Sequence, residues 1–587
     1  MKGSLYLLIL FFININTYAQ SRSTWFEEAR FGMFIHWGLY SAAEGIWKGE
    51  KLRYLNNYAE WIQYRNRISK EEYGTLAKRL VWDDINPEEW VIQAKNAGMK
   101  YIIMTSKHHD GVAIWDTNIG NYSLPKLANT DRDIIRELAD ACRKHDMKLG
   151  FYYSHWIDWE HPYAWDHNQE LTGHVSDEQF NQYWQEKAIP QLEELLTNYG
   201  DIAIMWFDMW IPYEKTIFKR EQLEQAVSLI RTLQPNCLIN SRLGLPTDAK
   251  YIDFETLGDN VFGTTYREHP WETPGTIAHS WGYNVQEKEW KSSSQIFESL
   301  ISNVSLNGGL TLNIGPRADG KIPYESISRL NEIGNWLNQS GESIYGAKGL
   351  PLRANNFDWG YLTYKPNINT TQVYAHVFNW PLDKKLRITG IKNKPTRIYY
   401  KNKNTNTELT FDQQGSYLHI NLSKQADNDI VSTIVIEYDS FLEINNNIVP
   451  ESTYGGFSLN NNNLINKENL QIVNYDGMRP AHVVLNKENS EWEVYFSEKG
   501  TYTIDISAHN PNNTPINIEL TIGKQLIKGI LLPNGKVVAE PNEDNYTDEF
   551  VDTQIGEIKI NNVEQLKVSV KNLDKNPVWI NRIWISK

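Results

Sequence analysis

Cysteine is scarce in this sequence, with two in 587 residues, Cys142 and Cys237. Their distance in the chain excludes a disulfide framework and a cysteine-ligated metal site, and leaves both thiols to core packing. Positive charge is also short: 58 Lys and Arg stand against 72 Asp and Glu, a net charge of -14. No basic run stands out, so nucleic acid is not an expected partner, because phosphate binding needs concentrated Lys and Arg. No apolar run reaches the roughly 20 residues that span a bilayer. The apolar stretch 5–15 follows Met1-Lys2 and precedes Thr17-Tyr18-Ala19. That arrangement predicts a secretory signal over 1–19, a mature chain from about Gln20, and an exported protein, periplasmic or secreted. A G-x-S-x-G elbow, a Gly-rich phosphate turn after the first strand, HExxH-type metal spacing and an internal repeat are all missing. These absences speak against a serine nucleophile, a dinucleotide site and a zinc-peptidase centre.

What the chain has in quantity is aromatic side chains and a strand–helix alternation. Short apolar runs at 32–37, 101–105, 149–154, 202–208, 237–240, 251–255 and 310–314 are separated by amphipathic stretches such as 86–97, 133–145, 177–199 and 220–233. Alternation of this kind predicts a mainly parallel sheet. The polar residues of interest fall where strands end: His36, His108, His109, Tyr152, Asp208 and Arg242. That placement points to a (β/α)8-like barrel, whose active site is built from the C-terminal strand ends. The barrel is expected over 20–346. Beyond it, period-2 patterning predicts an antiparallel β-sandwich over 347–440, then a linker and a second sandwich-like domain over 441–587. In that last region Trp492, Tyr495 and Trp579 are candidates for a carbohydrate platform, weighed against ordinary core packing.

The run Ile202-Ala203-Ile204-Met205-Trp206-Phe207-Asp208-Met209-Trp210 reads as a buried strand ending on a carboxylate among aromatic rings. An ionised carboxylate there is costly unless donors, cations or a ligand compensate it, so Asp208 is a candidate catalytic group. Many of the 22 Trp residues lie beside barrel loops, where indole faces suit sugar rings. The adjacent His108 and His109 point to opposite faces of a strand, which argues against a metal and for imidazoles that hydrogen-bond hydroxyls, as His36 also can. Glycoside hydrolysis needs two carboxylates. The second is expected from a later loop, with Glu272, Glu268, Asp259 and Glu255 all open. Glu272 stands out because Trp271 can desolvate it and raise its pKa, as a general acid requires.

The motifs Phe34-Ile35-His36-Trp37-Gly38, Glu60-Trp61, Lys107-His108-His109-Asp110-Gly111, Trp206-Phe207-Asp208, Trp271-Glu272 and Trp281-Gly282-Tyr283, in this order, resemble the α-L-fucosidases of glycoside hydrolase family 29. So does the segment from Asn307-Gly308-Gly309 through Asn313-Ile314-Gly315-Pro316 to Asp319-Gly320. The resemblance covers about 25–346 and, more loosely, extends to about 438. It implies an exo-acting enzyme for fucosylated glycans that needs no cofactor, with Asp208 as nucleophile of a retaining mechanism and Glu272 as acid/base. It also implies that His36, Glu60, Trp61, His108, His109, Tyr152, Trp206 and Arg242 hold the fucose and that Trp281 closes its apolar side. A hydrolase for another L-sugar, such as an α-L-galactoside, and a silent glycan-binding homologue are the rival readings. Met209 stands where the family often has Gly, and the acid/base loop varies across the family, which keeps Asp259 and Glu268 in contention.

Overall fold

The computed structural model describes residues 22–52, 58–165, 173–247, 250–352, 356–401, 406–422, 430–473, 482–486, 488–534 and 550–587. The expected signal over 1–19 lies outside these residues. The chain divides into two compact units, residues 1–263 with 267–347, and residues 264–266 with 348–587. Among the described residues, no helix is long and apolar enough to cross a membrane.

The first unit is built on eight parallel strands: β1 Phe31–Ile35, β2 Tyr101–Lys107, β3 Lys148–Tyr153, β4 Ile204–Phe207, β5 Leu238–Ile239, β6 Glu255–Thr256, β7 Trp271–Thr276 and β8 Gly309–Ile314. Their order in the sheet is β5-β4-β3-β2-β1-β8-β7-β6. A parallel bridge between Asn240 and Phe254 joins the two end strands, so the curled sheet comes round on itself as in a TIM-type barrel. The strands are rich in Ile, Met, Phe, Tyr and Trp, and most of their residues are buried, as parallel strands covered on both sides must be.

Alternate residues fill the barrel. Phe34, Ile103, Tyr152, Ile204, Trp206 and Leu238 belong to one interior cluster, and each buried aliphatic side chain there contributes roughly 1.5–3 kcal/mol. Gly32 makes room for this packing, since a Cβ there would lie 2.2 Å from the Tyr101 ring. The covering helices start on the caps their sequences offer. Asn86 accepts from Glu88 N ahead of Pro87–Asn96, Asp133 from Arg136 N ahead of Ile134–Lys144, and Ser292 forms a capping box with Gln295 ahead of Ser293–Ser305. The stretch expected as one helix over 177–199 contains a π turn, Trp184–Ala188, just before Pro190. Proline has no N–H to give its helical ladder, and the wider turn absorbs that loss.

Seven of the eight strands fall on runs that period and composition had marked; β7, Trp-Glu-Thr-Pro-Gly-Thr, does not. Pro and Gly argue against a strand, yet here the ladder to β8 and β6 carries the segment.

The second unit consists of antiparallel sheets with one short parallel pair, Ile448–Val449 against Ser490–Phe496. A seven-stranded and a three-stranded sheet share one core, including Trp359, Leu362, Ile388, Ile420 and Ile434. A five-stranded and a six-stranded sheet share another, including Trp492, Phe496, Ile504 and Ile518. The three aromatic residues weighed as a platform lie in different places. Trp492 is core, with its Nε1 donating to Asn460 O at 3.0 Å. Tyr495 projects from the other face of the same strand and stacks on Tyr417. Trp579 stacks on His509 in the other sheet.

Candidate active site

A cavity of about 260 Å³ opens at the C-terminal end of the barrel. Strand ends and the turns after them supply it: His36 after β1, Glu60 and Trp61 from the short turn Ala59–Trp61, and His108 and His109 after β2. Tyr152 comes from β3, Trp206 and Asp208 from the end of β4, Arg242 from the turn Ser241–Leu243, and Asp259 and Trp281 from the loops after β6 and β7. All nine residues expected to hold the ligand line this cavity, together with Asp208. Tyr152 faces in, whereas its neighbour Tyr153 faces the helical layer and donates to Gln191 Oε1 at 2.9 Å. Phe207 and Met209 are buried in packing on the other side of the strand from Trp206 and Asp208.

Asp208 is held at both oxygens. Arg242 Nη1 donates to Oδ1 at 2.9 Å and Tyr152 OH to Oδ2 at 3.0 Å, with His109 Nε2 3.6 Å from Oδ2. Trp156 Nε1 donates to the Asp208 carbonyl at 2.8 Å and fixes the backbone. The other arm of the Arg242 guanidinium donates to Asp259 Oδ1 at 2.6 Å. Burial by itself lowers the Arg242 pKa, but Asp259 and Asp208 outweigh it and hold the group firmly protonated. The carboxylates therefore sit on two arms of one cation, with Asp208 recessed at 13% side-chain exposure and Asp259 outward at 47%.

The imidazoles are neutral acceptors or donors. Burial depresses the pKa of His36 and of His109 to about 3, and that of His108 well below its ordinary value. Burial also pushes the Glu60 carboxyl up to about 7, against the hydrogen bond from Gly282 N at 2.9 Å. Two aromatic walls flank these polar groups. Phe34 meets Trp206 at 5.0 Å and Trp281 at 6.2 Å on one side. Trp61 meets His109 at 5.3 Å and Trp210 at 6.4 Å on the other.

Glu272 is where the expectation fails. It lies on β7 and not on a loop, is fully buried, and does not line the cavity. Its carboxyl accepts from Trp206 Nε1 at 2.7 Å, Thr256 Oγ1 at 3.2 Å and the Thr311 hydroxyl inside the barrel. Burial does raise its pKa, as expected. A general acid must also reach the leaving oxygen, and this carboxyl is sealed. Glu268 is exposed and Glu255 pairs with Arg267 and His269, both away from the cavity, so Asp259 alone of the four carboxylates lines it. Tyr58, Arg65 and Gly258 line the cavity without having been singled out, because nothing in composition or period marks two loop residues and the end of the short helix Ile62–Arg65. Among the described residues, no group of three or more His, Cys, Asp or Glu is placed to hold a metal ion. Size alone would choose the wrong place. A larger cavity, about 1220 Å³, opens by Lys100, Lys148 and Ile202 at the opposite strand ends and gathers none of these groups.

A parallel barrel with carboxylates, imidazoles and indoles converging on one small cavity at its C-terminal end is a glycoside hydrolase in architecture. The α-L-fucosidase family profile matches residues 14–342. Tissue α-L-fucosidase of Bos taurus is 28% identical over 369 residues, which cover 61% of this chain and 75% of that protein. The crystal structure of α-L-fucosidase from Vibrio sp. strain EJY3 superimposes with a TM-score of 0.76 at 24% identity, covering 97% of this chain and 98% of that one. A GH29 α-L-fucosidase from Bacteroides thetaiotaomicron, solved as a trapped covalent intermediate with 2-fluoro-fucosyl fluoride, gives a TM-score of 0.62 at 25% identity over 72% of this chain and 96% of that one. The chain belongs to the α-L-fucosidase family, glycoside hydrolase family 29.

Proposed function

We propose that the protein is an exo-acting, retaining α-L-fucosidase that removes terminal α-L-fucosyl units from glycans. The observation that carries this reading is Asp208, oriented by Arg242 and Tyr152 on the floor of the cavity. At about 260 Å³ the cavity falls below the roughly 300–1,000 Å³ of pockets for drug-sized ligands, which suits one terminal sugar ring rather than a chain. Glu60, Asp208 and the imidazoles meet hydroxyls, while Phe34, Trp206 and Trp281 offer an apolar corner to the C6 methyl group.

In the first step Asp208 attacks the anomeric carbon and the bond to the leaving oxygen breaks, that oxygen taking a proton from the acid. In the second, water attacks the fucosyl ester, gives its proton to the same carboxylate and restores Asp208. We assign the acid/base role to Asp259 in place of Glu272, because it shares Arg242 with the nucleophile and stands on the exposed side, where a departing group meets water. The Bacteroides relative's trapped covalent intermediate supports a two-step route. Export through the 1–19 signal is part of the proposal, and the N-terminal residue of protein secreted with its own leader tests it, Gln20 being expected.

Azide rescue separates the two carboxylates. Asp208→Gly with azide is expected to yield the fucosyl azide of inverted configuration, and Asp259→Ala the retained one. Near-normal hydrolysis of nitrophenyl α-L-fucoside by the Asp208 variant overturns the reading. Faster turnover of the α-L-galactoside than of the fucoside by the parent enzyme reassigns the sugar.

A further inference from the structure

Three histidines line the cavity, and the protein treats them differently. His109 Nδ1 lies 2.6 Å from Ser154 Oγ, and the same hydroxyl donates to the Ile157 carbonyl at 2.7 Å. A hydroxyl has one hydrogen, and a carbonyl cannot donate. Ser154 therefore has only its lone pairs left for His109, and the hydrogen between them belongs to Nδ1. His36 Nδ1 lies 2.7 Å from Asn313 Oδ1. The Asn313 amide nitrogen donates to the Trp281 carbonyl at 2.8 Å and to Thr276 Oγ1 at 3.1 Å, which fixes the orientation of the amide. Its oxygen can only accept, so here too the hydrogen sits on Nδ1. Ser154 and Asn313 are both buried, at 0% and 1% exposure, so no solvent competes for these bonds. His108 contrasts with both, its Nδ1 being buried with no partner among the described residues.

We propose that Ser154 and Asn313 are positioning residues that lock His109 and His36 as Nδ1–H tautomers, so that each turns a bare Nε2 to the cavity and accepts a hydrogen from a sugar hydroxyl. Burial keeps both rings neutral, which leaves the Nε2 lone pairs available near neutral pH. The consequence for His109 is specific. Its Nε2 stands 3.6 Å from Asp208 Oδ2, acceptor facing acceptor. A hydroxyl next to the attacked carbon can bridge that gap by giving its hydrogen to the ring, so the site selects for a donor there. The tautomer of His108 is left for the ligand to choose. This inference rests on the fucosidase reading for its substrate and on hydrogen-bond bookkeeping for its geometry.

The test uses ¹⁵N-histidine-labelled full-length enzyme and mono-deoxygenated nitrophenyl α-L-fucosides. The ¹⁵N spectra of the parent are expected to show His109 and His36 as Nδ1–H tautomers, assigned by loss of each signal in His109→Gln and His36→Gln. Ser154→Ala should lower kcat/KM on the parent fucoside about tenfold, the scale of one hydrogen bond. The loss should vanish on the one deoxy analogue that lacks the hydroxyl read by His109, and Ser154→Thr should recover the activity. An Nε2–H signal for either ring overturns the proposal for that ring, and an equal loss on every analogue reduces Ser154 to a structural role. If the parent cleaves no α-L-fucoside, the fucosidase reading fails, while the spectra still decide the tautomers.

Discussion

Two regions of the barrel each hold a carboxylate among hydrogen-bond donors, and they differ in what they can do. On the interior side Glu272 is sealed and accepts from three side-chain donors. On the cavity side Asp208 is held by Arg242 and Tyr152 and keeps 13% of its side chain open. Glu272 has the raised pKa expected of a general acid, and its cause is the same burial that denies it a substrate. A perturbed pKa marks a catalytic group only where a ligand can reach it.

The comparison breaks most visibly at Asp208. Asp208→Asn is expected to cut kcat by at least about a thousandfold, since an amide cannot take the place of the attacking carboxylate, with the unfolding transition retained in circular dichroism. Next comes Asp259→Ala, which should lose about a hundredfold to a thousandfold in kcat/KM on a fucosylated oligosaccharide and far less on the nitrophenyl glycoside, whose leaving group needs little protonation. Glu272→Gln should show no such leaving-group dependence and no azide rescue. It should instead lose about 1–3 kcal/mol in denaturant unfolding, because an amide in its place points a hydrogen at one of the three donors. Azide acceleration of the Glu272 variant and not of the Asp259 variant would return the acid role to β7.

At Glu60 the expected effect is on stability and depends on pH. Its pKa in the fold is about 7 against an ordinary 4.5, so the fold favours the protonated form. That stability is complete below the unfolded value and is lost as pH rises through about 7. The unfolding free energy of the parent relative to Glu60→Gln should therefore fall by about 3 kcal/mol between about pH 4 and about pH 8. A difference that stays flat with pH contradicts the burial of this carboxyl.

Much of the site is readable without coordinates because strand period is local. Trp206 and Asp208 share a face and Phe207 and Met209 take the other, and only one of Tyr152 and Tyr153 can turn inward, all from alternation on short buried strands; that the inner one is Tyr152 follows the family resemblance. Most of the other strands are short and largely apolar, and polar residues follow their C-terminal ends. The misplaced acid traces to β7. With Pro274 and Gly275 in six residues its sequence has the look of a turn, and Glu272 sits in it as the second residue of a buried strand. In the second unit the alternation of Ser490–Phe496 marks an inner and an outer face, yet period alone does not say that Trp492 is inside and Tyr495 outside.

By itself, then, the sequence determined the barrel and the placement of Asp208, His36, His108 and His109 at its C-terminal strand ends, because each follows from residue spacing within one strand or the turn after it. Only the tertiary structure decided which second carboxylate shares Arg242 with Asp208 and which partners His36 and His109 find at Nδ1. Those depend on partners far apart in the chain: Arg242 joins Asp208 to Asp259, and Asn313 sits 277 residues from His36. Closure of the sheet sets these distances, and no local pattern encodes them.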